Sequence, residues 1–78
     1  MFLAVFTFKE FMQPHQQRVI DEYDDLKDKT TKLNQFFQTP IFAKLDELEK
    51  DRLNRQWKTM QQYGAILAER IDAFSRIY

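Results

Sequence analysis

FFQTPIF, residues Phe36–Phe42, divides this chain into two helical halves. Pro40 has no backbone N–H and pushes Thr39 out of helical angles. A helix entering from the N-terminal side is therefore expected to stop near Gln38. Thr39 is a capping residue and Pro40 suits a first helical position, so a new helix can begin at once. The stretch also carries Phe36, Phe37 and Phe42. Three rings this close together need cover from another part of the chain or from another copy of it.

Working outward to the left, Pro14 and the polar HQQR open a helix expected to span 14–38. Its seam is Val19, Tyr23, Leu26, Thr30, Leu33 and Phe37, in alternating steps of four and three. That is the heptad pattern of a coiled coil. Asp21, Glu22, Asp24, Asp25 and Asp28 come early and Lys27, Lys29 and Lys32 late, a polarity that complements the helix dipole. To the right, Ile41, Phe42 and Leu45 give one apolar turn, placing a short helix at 40–45. The step from Leu48 to Leu53 breaks the register. Asp46 with Glu49 reads as an Asp version of a capping box, so a long helix is expected over 46–77. Its seam runs Leu53, Trp57, Met60, Gly64, Leu67, Ile71, Phe74 and Tyr78, again in steps of four and three. A helix of about 30 residues is about 45 Å long, against about 36 Å for the first. The short connection makes the pair antiparallel.

The expected fold class is all-α: an antiparallel helical hairpin of two long helices, a short connecting helix and an N-terminal apolar arm or short helix. The arm, residues 1–12, reads MFLAVFTFKEFM. Phe2, Ala4, Phe6 and Phe8 alternate as in a strand, whereas Leu3, Val5, Phe6 and Phe11 suit a helix. The expectation is a short helix or arm lying across the main helices; the other reading is that Met12 is an internal start. With no basic start and no small-residue cleavage site, a signal peptide is not expected. The apolar run also falls short of the roughly 20 residues of a membrane span.

Composition narrows the function classes. Seventy-eight residues make one small domain, marginal on its own core. There is no cysteine, hence no disulfide, thiolate nucleophile or thiolate metal site. Twelve basic and twelve acidic residues cancel, so no broad field draws the chain to long nucleic acid or an anionic membrane. One glycine and two prolines argue against a β fold and against glycine-rich phosphate loops. The only histidine, His15, lies among glutamines in a first helical turn without a positioned partner, and reads as solvated or capping. Carboxylate pairs such as Asp24–Asp28 read as a solvated face. No enzyme, cofactor or metal is expected. Long helices with few packing layers and twelve aromatic residues (eight Phe, three Tyr and one Trp) point to a homo-oligomer.

Binding has more to work with. Between Arg52 and Glu69 there is no acidic residue, and Arg52, Arg55 and Lys58 are joined by Asn54, Gln56, Gln61 and Gln62. Such a face suits a phosphodiester, although an ordinary polar surface accounts for it as well. Gly64 costs about 1 kcal/mol relative to Ala inside a helix, so it serves either close helix packing or close approach of a ligand. Tyr23 and Phe36 are explained by core packing; base stacking is the sharper reading.

Taken together, HQQRVIDEYDDL, KLNQFF, IFAKLDELEKDRL and QWKTMQQYGAILAERI resemble a family of small phage proteins related to a crAss-like phage protein. The family includes the phage anti-CBASS cyclic-nucleotide sponges. The similarity covers about His15–Ile71 and leaves the arm aside. The resemblance implies a homohexamer of helical protomers in the bacterial host cytoplasm. It would hold cyclic dinucleotides, or cyclic trinucleotides, in pockets between protomers without cleaving them, and so starve the CBASS effector of its signal. Carried over, the stacking tyrosine is Tyr23 and the aromatic at the joint is Phe36, followed by Gln38 and Thr39. Gln38 stands where relatives are expected to have a phosphate-binding lysine, and Pro40 interrupts the loop. Arg70 matches a ligand-contacting arginine, and Gln62 completes the candidate set. The competing class is a helical protein–protein interaction module using the aromatic joint as its patch.

Overall fold

The computed structural model describes residues 12–77, with side chains placed through Phe74. The arm lies outside the described residues except for Met12, as does Tyr78 at the end of the second seam. Three helices follow: α1 (Pro14–Phe36), α2 (Pro40–Ala43) and α3 (Glu47–Ile77). Leu26 meets α3 at Gly64 while Phe37 meets it at Trp57, so the two long helices run antiparallel.

The start of α1 and the helix ends around the joint have local causes. Pro14 occupies the first turn of α1, and Gln16 reaches back so that its Oε1 accepts from the Gln13 N–H at 2.9 Å. At the other end the hydrogen bonds tighten. Phe37 N still bonds to Leu33 O, but Gln38 N bonds to Gln35 O and Thr39 N to Phe36 O, one residue shorter. Such short-cut bonds satisfy carbonyls that would otherwise be orphaned at a helix end. Helix α1 thus ends at Phe36 instead of Gln38, because its last turn has already narrowed before Pro40 blocks it. Thr39 serves both sides of the break: its hydroxyl donates to Phe36 O at 2.8 Å and accepts from Phe42 N at 3.3 Å. Helix α2 closes the same way, with Lys44 N on Ile41 O and Leu45 N on Phe42 O, and so stops at Ala43 instead of Leu45. Asp46 caps α3, its Oδ1 accepting from Glu49 N at 2.9 Å.

The two seams are the residues turned inward. In α1 and its C-cap these are Val19, Tyr23, Leu26, Thr30, Leu33 and Phe37, all half-buried or better. In α3 they are Leu53, Trp57, Met60, Gly64, Leu67, Ile71 and Phe74. Leu48, at the broken step, is 71% exposed. Among the described residues only Val19 and Leu67 are fully buried apolar side chains. Two rods touch along one line, so each seam residue is covered on one side only.

An aromatic cluster closes the joint end. Phe37 meets Phe42 at 5.0 Å and Trp57 at 6.4 Å between ring centroids, and Phe36 meets Phe42 at 6.0 Å, all edge-to-face. Each such pair adds about 1 kcal/mol beyond area burial. The Lys50 ammonium sits 5.8 Å from the Phe42 ring centre. The cluster carries one cost: Trp57 Nε1 is buried with no hydrogen-bond partner among the described residues. The surface ion pairs, Asp25–Lys29, Asp28–Lys32 and Asp51–Arg55, link successive turns of single helices and add little to stability.

Candidate functional site

On one flank the helix pair leaves a groove of about 400 Å³. From α1 it is lined by Tyr23, Leu26, Lys27, Thr30 and Thr31, and from α3 by Met60, Gln61, Gly64, Ala65 and Ala68. Its shape follows from residue size. On α3 the lining steps Gln61, Gly64, Ala65, Ala68 along one face, so the wall is low from Gly64 to Ala68. On α1, Tyr23, Lys27 and Thr30 or Thr31 stand at helical spacing on the opposite wall.

The polar groups of the groove are sparsely engaged. Lys27 makes no ion pair among the described residues and supplies a cation. Thr30 donates its hydroxyl to Leu26 O at 2.7 Å, leaving its lone pairs toward an incoming donor. With the Tyr23 ring, the Gln61 amide and the Thr31 hydroxyl, the wall offers one aromatic face, one charge and several hydrogen-bond groups. Such a set holds a planar, anionic, polar molecule. Among the described residues, no group of three or more His, Cys, Asp or Glu could hold a metal ion. No helix among them is long and apolar enough to cross a membrane.

The residues singled out from sequence separate. Tyr23 lines the groove. Phe36 lies thirteen residues further along α1, which is about 20 Å along the axis and about 140° around it. It packs on Phe42 and does not meet Tyr23 within the protomer. Thr39 is engaged as a cap, and Gln38 is exposed beside it. Gln62 and Arg70 are exposed and stand about 160° and about 120° around α3 from Gly64, away from the groove. Lys27, Thr30, Thr31 and Gln61 were not singled out as a set. The signal was available: Lys27 follows Tyr23 by one helical turn, on the same face.

The basic face of α3 is largely occupied by its own helix. Arg52 Nε bonds to Glu49 at 2.8 Å and Arg55 Nε to Asp51 at 2.9 Å, and Asn54 turns back to Lys50 O. The Glu49 hydrogen bond holds the Arg52 guanidinium above its ordinary range. An open concavity of about 410 Å³ lies over Arg52, Arg55, Gln56, Thr59 and Met60, but its two cations already have carboxylate partners.

The Sequestin family matches residues 13–73. A curated relative from Enterobacteria phage T4, described as an uncharacterized 7.5 kDa protein in the denB–rIIB intergenic region, is 33% identical over 63 residues. That alignment covers 81% of this chain and 98% of the phage protein. No solved structure matches.

Proposed function

The chain belongs to the Sequestin family, and from that premise we propose that it sequesters cyclic oligonucleotide second messengers without cleaving them. Cyclic dinucleotides such as cyclic GMP–AMP are the first class, and cyclic trinucleotides the second. In the host cytoplasm, such a phage protein keeps the messenger from the CBASS effector and the defence is not triggered. The observation that carries this reading is the groove that sets Tyr23 and Lys27 opposite a low α3 wall. A cyclic dinucleotide has flat bases for the tyrosine and phosphates for charge-assisted donors. Neutral net charge suits this, since a small ligand needs local donors and not a broad field.

Completion of the groove falls to other protomers, as a homohexamer. Support comes from Tyr63 and Ile66, which are 42% and 56% exposed on the outer flank of α3. Phe36, Gln38 and Thr39 then join the site from a neighbour whose joint end lies against Tyr23, and Gln62 and Arg70 from a neighbour's outer flank. The test is thermal unfolding of the purified protein with a panel: cyclic GMP–AMP, cyclic di-AMP, cyclic di-GMP and cyclic tri-AMP. Stabilisation by at least one, with the ligand recovered intact, is expected. Absence of any shift across the panel overturns the reading, and a stable monomer in solution overturns the shared site.

A second reading rests on Ile41 and Leu48, which are 65% and 71% exposed at the joint end. A patch of that kind suits a protein partner, making the chain a helical interaction module. Capture of one stoichiometric host protein, lost on Leu48→Lys, would favour it.

A further inference from the structure

We propose that Gly64 is a specificity-determining residue: it is glycine so that a planar ring of the ligand can lie against the α3 backbone opposite Tyr23. This deepens the sequestration reading and rests on it. Gly64 is the only glycine in the chain and sits inside the 31-residue helix α3, where glycine is the poorest helix former short of proline. The usual excuse for such a residue is a neighbour packed too tightly for a Cβ. Here a Cβ built on Gly64 meets Leu26 Cδ2 at 3.8 Å, an ordinary van der Waals contact. The backbone does not require glycine either, since no glycine in the described residues has a positive φ. Packing within the protomer and backbone geometry are thus both satisfied by alanine.

What a methyl group would change is the groove. Gly64 lies on its lining between Gln61 and Ala68, across from Leu26, and Tyr23 is on the opposite wall. On the proposed reading a Cβ there, seated 3.8 Å from Leu26 Cδ2, takes up lining that a flat ring stacked on the tyrosine would use. Ala65 and Ala68 keep the wall low on either side, but only at Gly64 is it reduced to backbone.

Gly64→Ala makes the inference testable because the two expected effects have opposite signs. Removing a helix-interior glycine should raise the melting temperature by about 4 °C or more. The same methyl should weaken binding of the tightest member of the cyclic nucleotide panel about tenfold or more. Ala68→Leu, which narrows the groove one turn along, should also weaken binding. Helix content by circular dichroism and mass in solution should match the parent protein in both variants. Parental affinity in Gly64→Ala overturns the inference and leaves the sequestration reading standing. A changed mass or a lower melting temperature overturns it too, because the glycine then serves subunit or helix packing. A parent protein that binds no member of the panel overturns the sequestration reading, and this inference with it.

Discussion

Tyr23 and Phe36 lie on one helix and both are half-buried aromatics, yet they sit in opposite circumstances. At the joint end Phe36, Phe37, Phe42 and Trp57 face one another, and Thr39 has both its donor and its acceptor engaged. At the groove, Tyr23 shares the lining with Gly64, Ala65 and Ala68, and Lys27 makes no ion pair among the described residues. The difference teaches where binding capacity resides. Groups that satisfy each other hold the hairpin closed, and groups left without partners are those a ligand can engage. Aromatic residues at suggestive positions are therefore not equivalent, because Phe36 packs in a ring cluster and Tyr23 lines a groove.

Measurements can break or sharpen that contrast. The largest expected effect is Phe42→Ala, which removes the ring shared by two phenylalanine contacts and should cost about 3 kcal/mol by urea unfolding. A cost near zero would mean that the joint cluster does not hold the hairpin. Next is Tyr23→Ala, expected to weaken ligand binding by about 2 kcal/mol in titration calorimetry, with helix content kept. Phe36→Ala sharpens the comparison. Lost stability with parental affinity keeps the joint structural, whereas lost affinity with parental stability makes it part of a neighbour's site. Thr39→Ala should cost about 1 kcal/mol, read from the melting curve, through the lost cap on α2.

The smallest effect concerns the charged surface. The hydrogen bond and charge of Asp25 raise the Lys29 ammonium above its ordinary value of 10.5. A raised lysine contributes its stability fully below the ordinary value and loses it as pH climbs through the raised one. Between pH 7 and 9 this pair should leave no step in a melting-temperature profile. A step there that vanished in Asp25→Asn would show a stronger coupling than an exposed pair supports.

Much of the architecture was legible because it is written in local chemistry. Pro14, Thr39, Pro40 and Asp46 mark helix ends by what their own atoms can donate, accept or block. The alternating steps of four and three name the inward residues because helix geometry repeats regardless of context. The ends at Phe36 and Ala43 were missed by two residues each, since the tightening to shorter hydrogen bonds depends on the turn that follows. Of the candidate residues, Tyr23 lines the groove, and Lys27, Thr30, Thr31 and Gln61 were not recognised as its companions there. They come from two helices, and which α3 residues stand across from Tyr23 depends on the stagger of the pair.

By itself, then, the sequence determined which residues punctuate the helices, which stripe of each is apolar, and that glycine stands inside the longest one. Those are properties of residues a few positions apart, set by hydrogen bonding and a fixed helical period. Only the tertiary structure decided that Gly64 meets Leu26 at an ordinary contact distance and not at a tight crossing. It also decided that Phe36 and Tyr23 point to different sides, and that Arg52 and Arg55 are already matched. Each of those depends on distances between parts of the chain that no local rule fixes.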